Sequence, residues 1–192
     1  SNDGLNETTE SLHARKLPSD PLMEATFGNA TRMIENDNVS EGLETLQSIL
    51  EQSGDVFLIA NPRFDGSLKA EVLTELNKHR EDYEQLYGTT AQQLLDEALK
   101  SADEDLLREV VRRFRLTPAG AKAVTALAMT LQDRGDLGGA GRLLSAQAEF
   151  LTGADQATCV AQAVIAFQHD GQAELALHLV ERYSSVLTEH EE

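Results

Sequence analysis

The sequence has no tryptophan, few aromatics of any kind, four prolines and one cysteine in 192 residues. A lone cysteine makes no internal disulfide, so a disulfide scaffold is excluded and the redox compartment stays open. Cys159 stands in ATCVAQAVIAF, among small and apolar neighbours, and reads as a buried small hydrophobe. Zinc lacks a ligand set: His13, His79, His169, His178 and His190 are scattered, without the i, i+4 pairing that puts two imidazoles on one helix face. Positive charge is scarce as well, with 16 Lys+Arg against 33 Asp+Glu and a net charge of −17. A field of that sign repels phosphate backbones and anionic headgroups, which argues against nucleic-acid binding and docking on an acidic membrane. No apolar run approaches the roughly 20 residues that cross a bilayer, so direct membrane insertion is not expected. No leader is legible at the start; an exported protein would have lost its targeting segment.

Catalytic patterns are equally scarce. The stretch GDLGGAG, residues 135–141, follows a helical pattern rather than a strand and has neither the full dinucleotide spacing nor a phosphate-loop lysine. No serine sits in a nucleophile elbow, and abundant carboxylates pair by chance on an acidic surface. The residues name no catalytic, cofactor-binding or metal-ligating group, and the chain is expected not to be an enzyme. An enzyme or cofactor domain remains the alternative from another class, to be revived by cofactor absorbance of the purified protein.

What is present is helical periodicity. Residues 1–19 are polar and aperiodic, a flexible lead-in. From Asp20 onward, Leu22, Met23, Phe27, Ala30 and Ile34 fall on one helix face. Ser40 then caps a helix with a narrow stripe of Leu43, Leu46, Ile49 and Leu50. Residues 54–66, GDVFLIANPRFDG, interrupt the pattern with a short apolar core between turn signals, either an extended plug or a lone strand. Helical patterns resume at Ser67, and Thr89 or Thr90 is expected to open a new helix. Further starts fall at Asp103, at Thr117 with Pro118 in the first turn, and at Asp155, with stops at Gly135, Gly153 and Gly171.

These boundaries repeat. Gly135 and Gly171, Ala140 and Ala176, and Leu143 and Leu179 are each 36 residues apart, and Ser101 precedes Gly135 by 34. Helix-turn-helix units of about 34 residues have the tetratricopeptide period, and each buries its stripe only against its neighbours. The expected fold is therefore all-α: a tetratricopeptide-like solenoid of antiparallel helix pairs over residues 20–190. Ala121, Ala123, Ala128, Ala140, Ala161 and Ala163 suit close helix approach. Gly138, Gly139 and Gly141, each costing about 1 kcal/mol in a helix, need the same compensation.

Four arginines in eight residues, at 108, 112, 113 and 115, stand out from the acidic background. In EDLLREVVRRFR the apolar stripe is Leu106, Leu107, Val110, Val111 and Phe114. Spacing lets Asp105 reach Arg108, and Glu109 reach Arg112 and Arg113. Arginines near a helix C-terminus also oppose its dipole. The cluster reads first as a charged helix end. The alternative is a partner-binding stripe of Arg108, Arg112 and Arg115 that grips an acidic partner.

The residues Ser67-Leu68-Lys69, Tyr83-Glu84, Tyr87-Gly88, Leu94-Leu95, Glu109-Val110, Arg112-Arg113, Thr117, Ala119-Gly120 and Asp133-Arg134-Gly135 form a spaced set. Over roughly residues 20–151 the chain resembles the N-terminal helical domain of bacterial envelope proteins that carry a pyrroloquinoline-quinone-type β-propeller. The resemblance implies an excised domain, an envelope-associated or periplasmic location, an attached β-propeller and no catalytic residues. Architecture and resemblance together lead to the expectation of a protein–protein interaction or scaffolding domain with a protein or peptide partner, or else a rigid spacer for the propeller. No cofactor is expected.

Overall fold

The computed structural model describes residues 20–52 and 67–189. The lead-in at 1–19 and the segment at 54–66 lie outside the described residues. Every regular element among the described residues is a helix: α1 (Pro21–Glu35), α2 (Val39–Glu51), α3 (Leu68–Lys78), α4 (Arg80–Ser101), α5 (Glu104–Phe114), α6 (Pro118–Asp133), α7 (Leu137–Ala148), α8 (Gly153–His169), α9 (Ala173–Arg182) and α10 (Ser184–Glu189). Helix α1 packs on α2, and from α4 to α9 each helix packs on the next, an all-α tetratricopeptide-like repeat, whereas a single residue joins α3 to α4 (His79) and α9 to α10 (Tyr183).

Capping residues set most of the starts. The Asp20 carboxylate accepts from the Leu22 and Met23 amides, Asp103 from Leu106, Asp136 from Gly139, and the Thr117 hydroxyl from Gly120. Each satisfies backbone donors that the first helical turn leaves open. Gly135 and Gly171 close α6 and α8 with φ of 82° and 75°, the left-handed turn expected of them.

Several boundaries differ from the sequence reading. α4 runs unbroken for 22 residues, so Thr89 and Thr90 start nothing. Tertiary packing overrides them: α4 buries Tyr83 at one end and Ala91, Leu95 and Ala98 at the other, and a break would separate those contacts. α2 begins at Val39 rather than after a Ser40 cap, and α8 begins at Gly153, two residues ahead of Asp155. Leu22 is 75% exposed and Ala161 is exposed, whereas the other small and apolar positions of their stripes face neighbours to a greater degree.

The core falls into two clusters joined end to end. One gathers α1, α2, α3 and the start of α4, with Leu43, Leu46, Ile49, Leu68 and Leu76 almost fully buried. The other runs from the second half of α4 through α9. α4 spans both. At their junction the Tyr83 ring lies 5.1 Å from Tyr87, which lies 6.1 Å from Phe114. The Tyr83 hydroxyl is 2.7 Å from the Gln47 side-chain amide on α2 and 2.8 Å from the Arg113 carbonyl at the end of α5. One phenolic proton serves one acceptor at a time. Presenting the Gln47 amide N–H to the phenol, while the phenol donates to Arg113, satisfies both contacts.

Two of the three glycines of α7 lie close against neighbouring elements. A Cβ at Gly141 would come within 2.8 Å of the Phe167 ring on α8. Gly138 faces Asp170 and Gln172 in the α8–α9 turn, and Gly139 stands against its own cap, Asp136.

Candidate functional site

The arginine cluster resolves into separate tasks. Arg108 pairs with Glu104, at 2.6 Å, rather than with Asp105, and Glu104 also meets Arg134. Arg112 does not meet Glu109. Its Nη1 donates to the carbonyls of Leu50 and Glu51 at 2.8 Å each, capping the C-terminal end of α2. Arg113 bridges Glu109 at 2.8 Å and Glu51 at 2.6 Å, and lies over the Phe114 ring. Burial works against its charge, but the hydrogen bonds to Glu109 and Glu51 outweigh that and raise its pKa. Arg115 turns inward, where burial lowers its pKa, with Glu149 opposing the shift. The three stripe residues thus have distinct surroundings: Arg108 is half exposed, Arg112 caps a neighbouring helix, and Arg115 is largely covered.

A second region was not singled out from the sequence. α4, α6 and α8 are the first helices of three consecutive pairs and line one side of the stack. α7 packs closely on both α6 and α8, while α6 and α8 barely touch each other. A groove opens between them with α7 as its floor. Its deeper part is a cavity of about 430 Å³ lined by Lys122 and Thr125 of α6, Asp155, Thr158 and Gln162 of α8, and Gln147 of α7. Thr125 and Gln162 also line the adjoining cavity of about 190 Å³, where Met129 and Ile165 stand on opposite walls. At the other end Pro118 is shared with a cavity of about 580 Å³ between α4 and α6, lined by Glu81, Glu84, Gln85, Thr89 and Gln92. The cavities between α6 and α8 thus adjoin at Thr125 and Gln162, and the one between α4 and α6 meets them only at Pro118.

Two features mark this groove. Met129 is 57% and Ile165 53% exposed, large apolar side chains left facing water. They lie 36 residues apart, at equivalent positions of the two units, so each unit presents one. Gln147 is 2% exposed; its Nε2 donates to the Arg115 carbonyl, and its Oε1 has no partner. Because a carbonyl only accepts, that contact fixes which end of the amide is Nε2. The residual orphan is a buried acceptor.

Cys159 also lines the groove, as the expected buried hydrophobe, and its thiol donates to the Leu144 carbonyl at 3.2 Å. Burial pushes its pKa up to about 11, with Arg115 pulling the other way. At pH 8 only about one molecule in a thousand then carries the thiolate. Alkylation by iodoacetamide is therefore expected to run on the order of a hundredfold slower than for free cysteine, read by intact mass against time. Labelling at the free rate would place the thiol in solvent.

Among the described residues no three His, Cys, Asp or Glu side chains are placed to hold a metal ion, and no helix is long and apolar enough to cross a membrane.

No family model matches the chain, and no curated protein matches it. Among solved structures, it is similar to TPR-like repeats ascribed to a Podosopora anserina kinesin light chain, with 15% identity and a TM-score of 0.38 over 88% of this chain and 97% of that one. A variant of the same protein gives 15% identity and a TM-score of 0.37 over 88% and 95%.

Proposed function

We propose that this is a non-catalytic protein–protein interaction domain that receives a partner segment in the groove of α4, α6 and α8. The carrying observation is the pair of exposed apolar residues, Met129 and Ile165, at matching repeat positions beside the buried, unpartnered Gln147 Oε1. The test is a blocked groove. Thr158 and Thr125 are exposed on facing walls, so Thr158→Arg or Thr125→Arg fills the path without disturbing the core. Each is expected to leave the melting temperature within about 2 °C of wild type. Each is also expected to remove the partner that wild-type domain retains from source-cell extract. Retention by both variants would rule the groove out.

The spaced residues from Ser67 to Gly135 support a finer reading, one arm of a larger periplasmic or envelope-associated protein with an attached β-propeller. Fractionating source cells with an antibody to the domain tests it. A species far heavier than 21.0 kDa in the envelope fraction supports the reading, and a species of that mass in the cytosol sinks it. A rigid spacer is a second reading, favoured by the Tyr83 contacts that tie the two core clusters together.

Arg108, Arg112 and Arg115 are proposed as a separate contact for an acidic partner. Changing all three to glutamine is expected to weaken capture at low ionic strength. Lost stability with capture intact would assign the cluster to structure alone, a result Arg112 already favours through its carbonyl contacts on α2.

A further inference from the structure

Most corners between helices are written into the sequence. Asp37 and Ala102 take positive φ after α1 and α4, Thr117-Pro118 opens α6, and Gly135 and Gly171 close α6 and α8. The break between α3 and α4 has no such signal. Between Ser67 and Gly88 there is neither glycine nor proline. One residue, His79, ends α3 and precedes α4, with φ −116° and ψ 37° and no side-chain cap on the first turn of α4. A helix start leaves its first amides without the carbonyls that a continuous helix would supply. Lys78, which pairs with Glu75 at 2.5 Å, would on a continuous helix also stand one turn from Asp82.

Docking, rather than local sequence, sets this bend. Helices α1, α2 and α3 form a unit with its own core, built on Ile34, Leu43, Leu46, Leu68, Val72 and Leu76. A compact seam holds the unit to the rest: Arg112 on the Leu50 and Glu51 carbonyls, Arg113 on the Glu51 carboxylate, and Tyr83 on Gln47. On one side of the hinge these groups belong to α2, and on the other to α4 and α5. A second copy of the chain presents the same α4 and α5 surface, so the unit finds the same contacts there. No new surface has to be buried, which matters for chains of net charge −17 that repel one another.

We propose that two copies of this chain exchange α1–α3: the break at His79 straightens, α3 runs into α4 as one helix, and each unit docks on the α4 and α5 of the other copy. None of the seam residues lines the cavities between α6 and α8, so the exchange leaves that groove in place.

Two variants of complementary charge test the exchange. Arg113→Glu sets a carboxylate against Glu51, and Glu51→Arg sets a guanidinium against Arg113, so each variant alone has a repulsive seam. In an exchanged heterodimer both seams pair opposite charges. The two are unfolded in urea, mixed, refolded at physiological ionic strength, and sized with intact mass analysis. The heterodimer, at twice 21.0 kDa, is expected on the order of tenfold above either homodimer. No dimer, or homodimers and heterodimer in random proportion, overturns the exchange. The hinge supplies a second test with the seam intact, which decides the matter should Arg113→Glu fail to refold. Alanine favours a continuous helix and glycine opposes it, and each dimer holds two straightened hinges. His79→Ala is therefore expected to dimerise about thirtyfold more tightly than His79→Gly. Equal dimerisation of the two also overturns the proposal.

Discussion

Gly120→Ala is expected to destabilise the protein by about 3 kcal/mol or more. The reason lies in the corner between α5 and α6. Thr117 donates both its backbone N–H and its hydroxyl to the Phe114 carbonyl, at 2.9 and 2.8 Å, and its hydroxyl oxygen accepts from the Gly120 amide at 3.0 Å. The chain turns so tightly that a Cβ on Gly120 would overlap the Phe114 carbonyl oxygen and lie 2.8 Å from the Arg115 Cα. Backbone atoms cannot rotate away as a side chain can. The corner must open, and Thr117, wholly buried, would lose its partners as it does so. Urea unfolding reads the change. A loss under about 1 kcal/mol would mean that the corner yields freely.

Tyr83→Ala is expected to cost about 4 kcal/mol. The ring is 1% exposed and packs against Tyr87, so its removal leaves a cavity between the two core clusters. The hydroxyl adds its own share. Burial raises the phenol pKa well above the usual tyrosine value, which keeps it neutral and able to donate at any physiological pH. Tyr83→Phe isolates that share: it keeps the ring and strands the Gln47 amide and the Arg113 carbonyl, for about 1–3 kcal/mol. A neutral Tyr83→Phe variant would show that the clusters are held by packing alone.

The repeat was legible because glycine stops and apolar stripes recur at a fixed interval. Gly135 and Gly171 do close helices with positive φ, and Thr117-Pro118 and Asp103 do start them. Thr89 and Thr90 misled because a threonine pair within a helix looks like a cap, and only the burial at both ends of α4 decides for continuity. For the arginines, local spacing identified Glu109–Arg113 but not the partners of Arg112, because those carbonyls lie some 60 residues away on α2. No pattern within one helix carries that information.

The groove escaped for a related reason. Gln147 is one glutamine among several until α7 is seen to floor the gap between α6 and α8. One signal was available. At the repeat offset, Met129 and Ile165 are both large and apolar, on helices whose buried faces are already supplied by Val124, Leu127 and Leu131 and by Val160, Ala163 and Phe167. That match at the repeat offset is the signal the sequence offered for this side of the stack.

Methionine methyl resonances test the central claim most directly. The chain has three methionines. Met23 and Met33 lie on α1, and Met129 lies on the groove wall. In protein labelled with carbon-13 at the methionine methyls, a saturating partner segment is predicted to shift the Met129 signal and leave the other two in place. A bound partner that leaves Met129 unmoved, or that moves Met23 and Met33 instead, would contradict the groove as the binding surface.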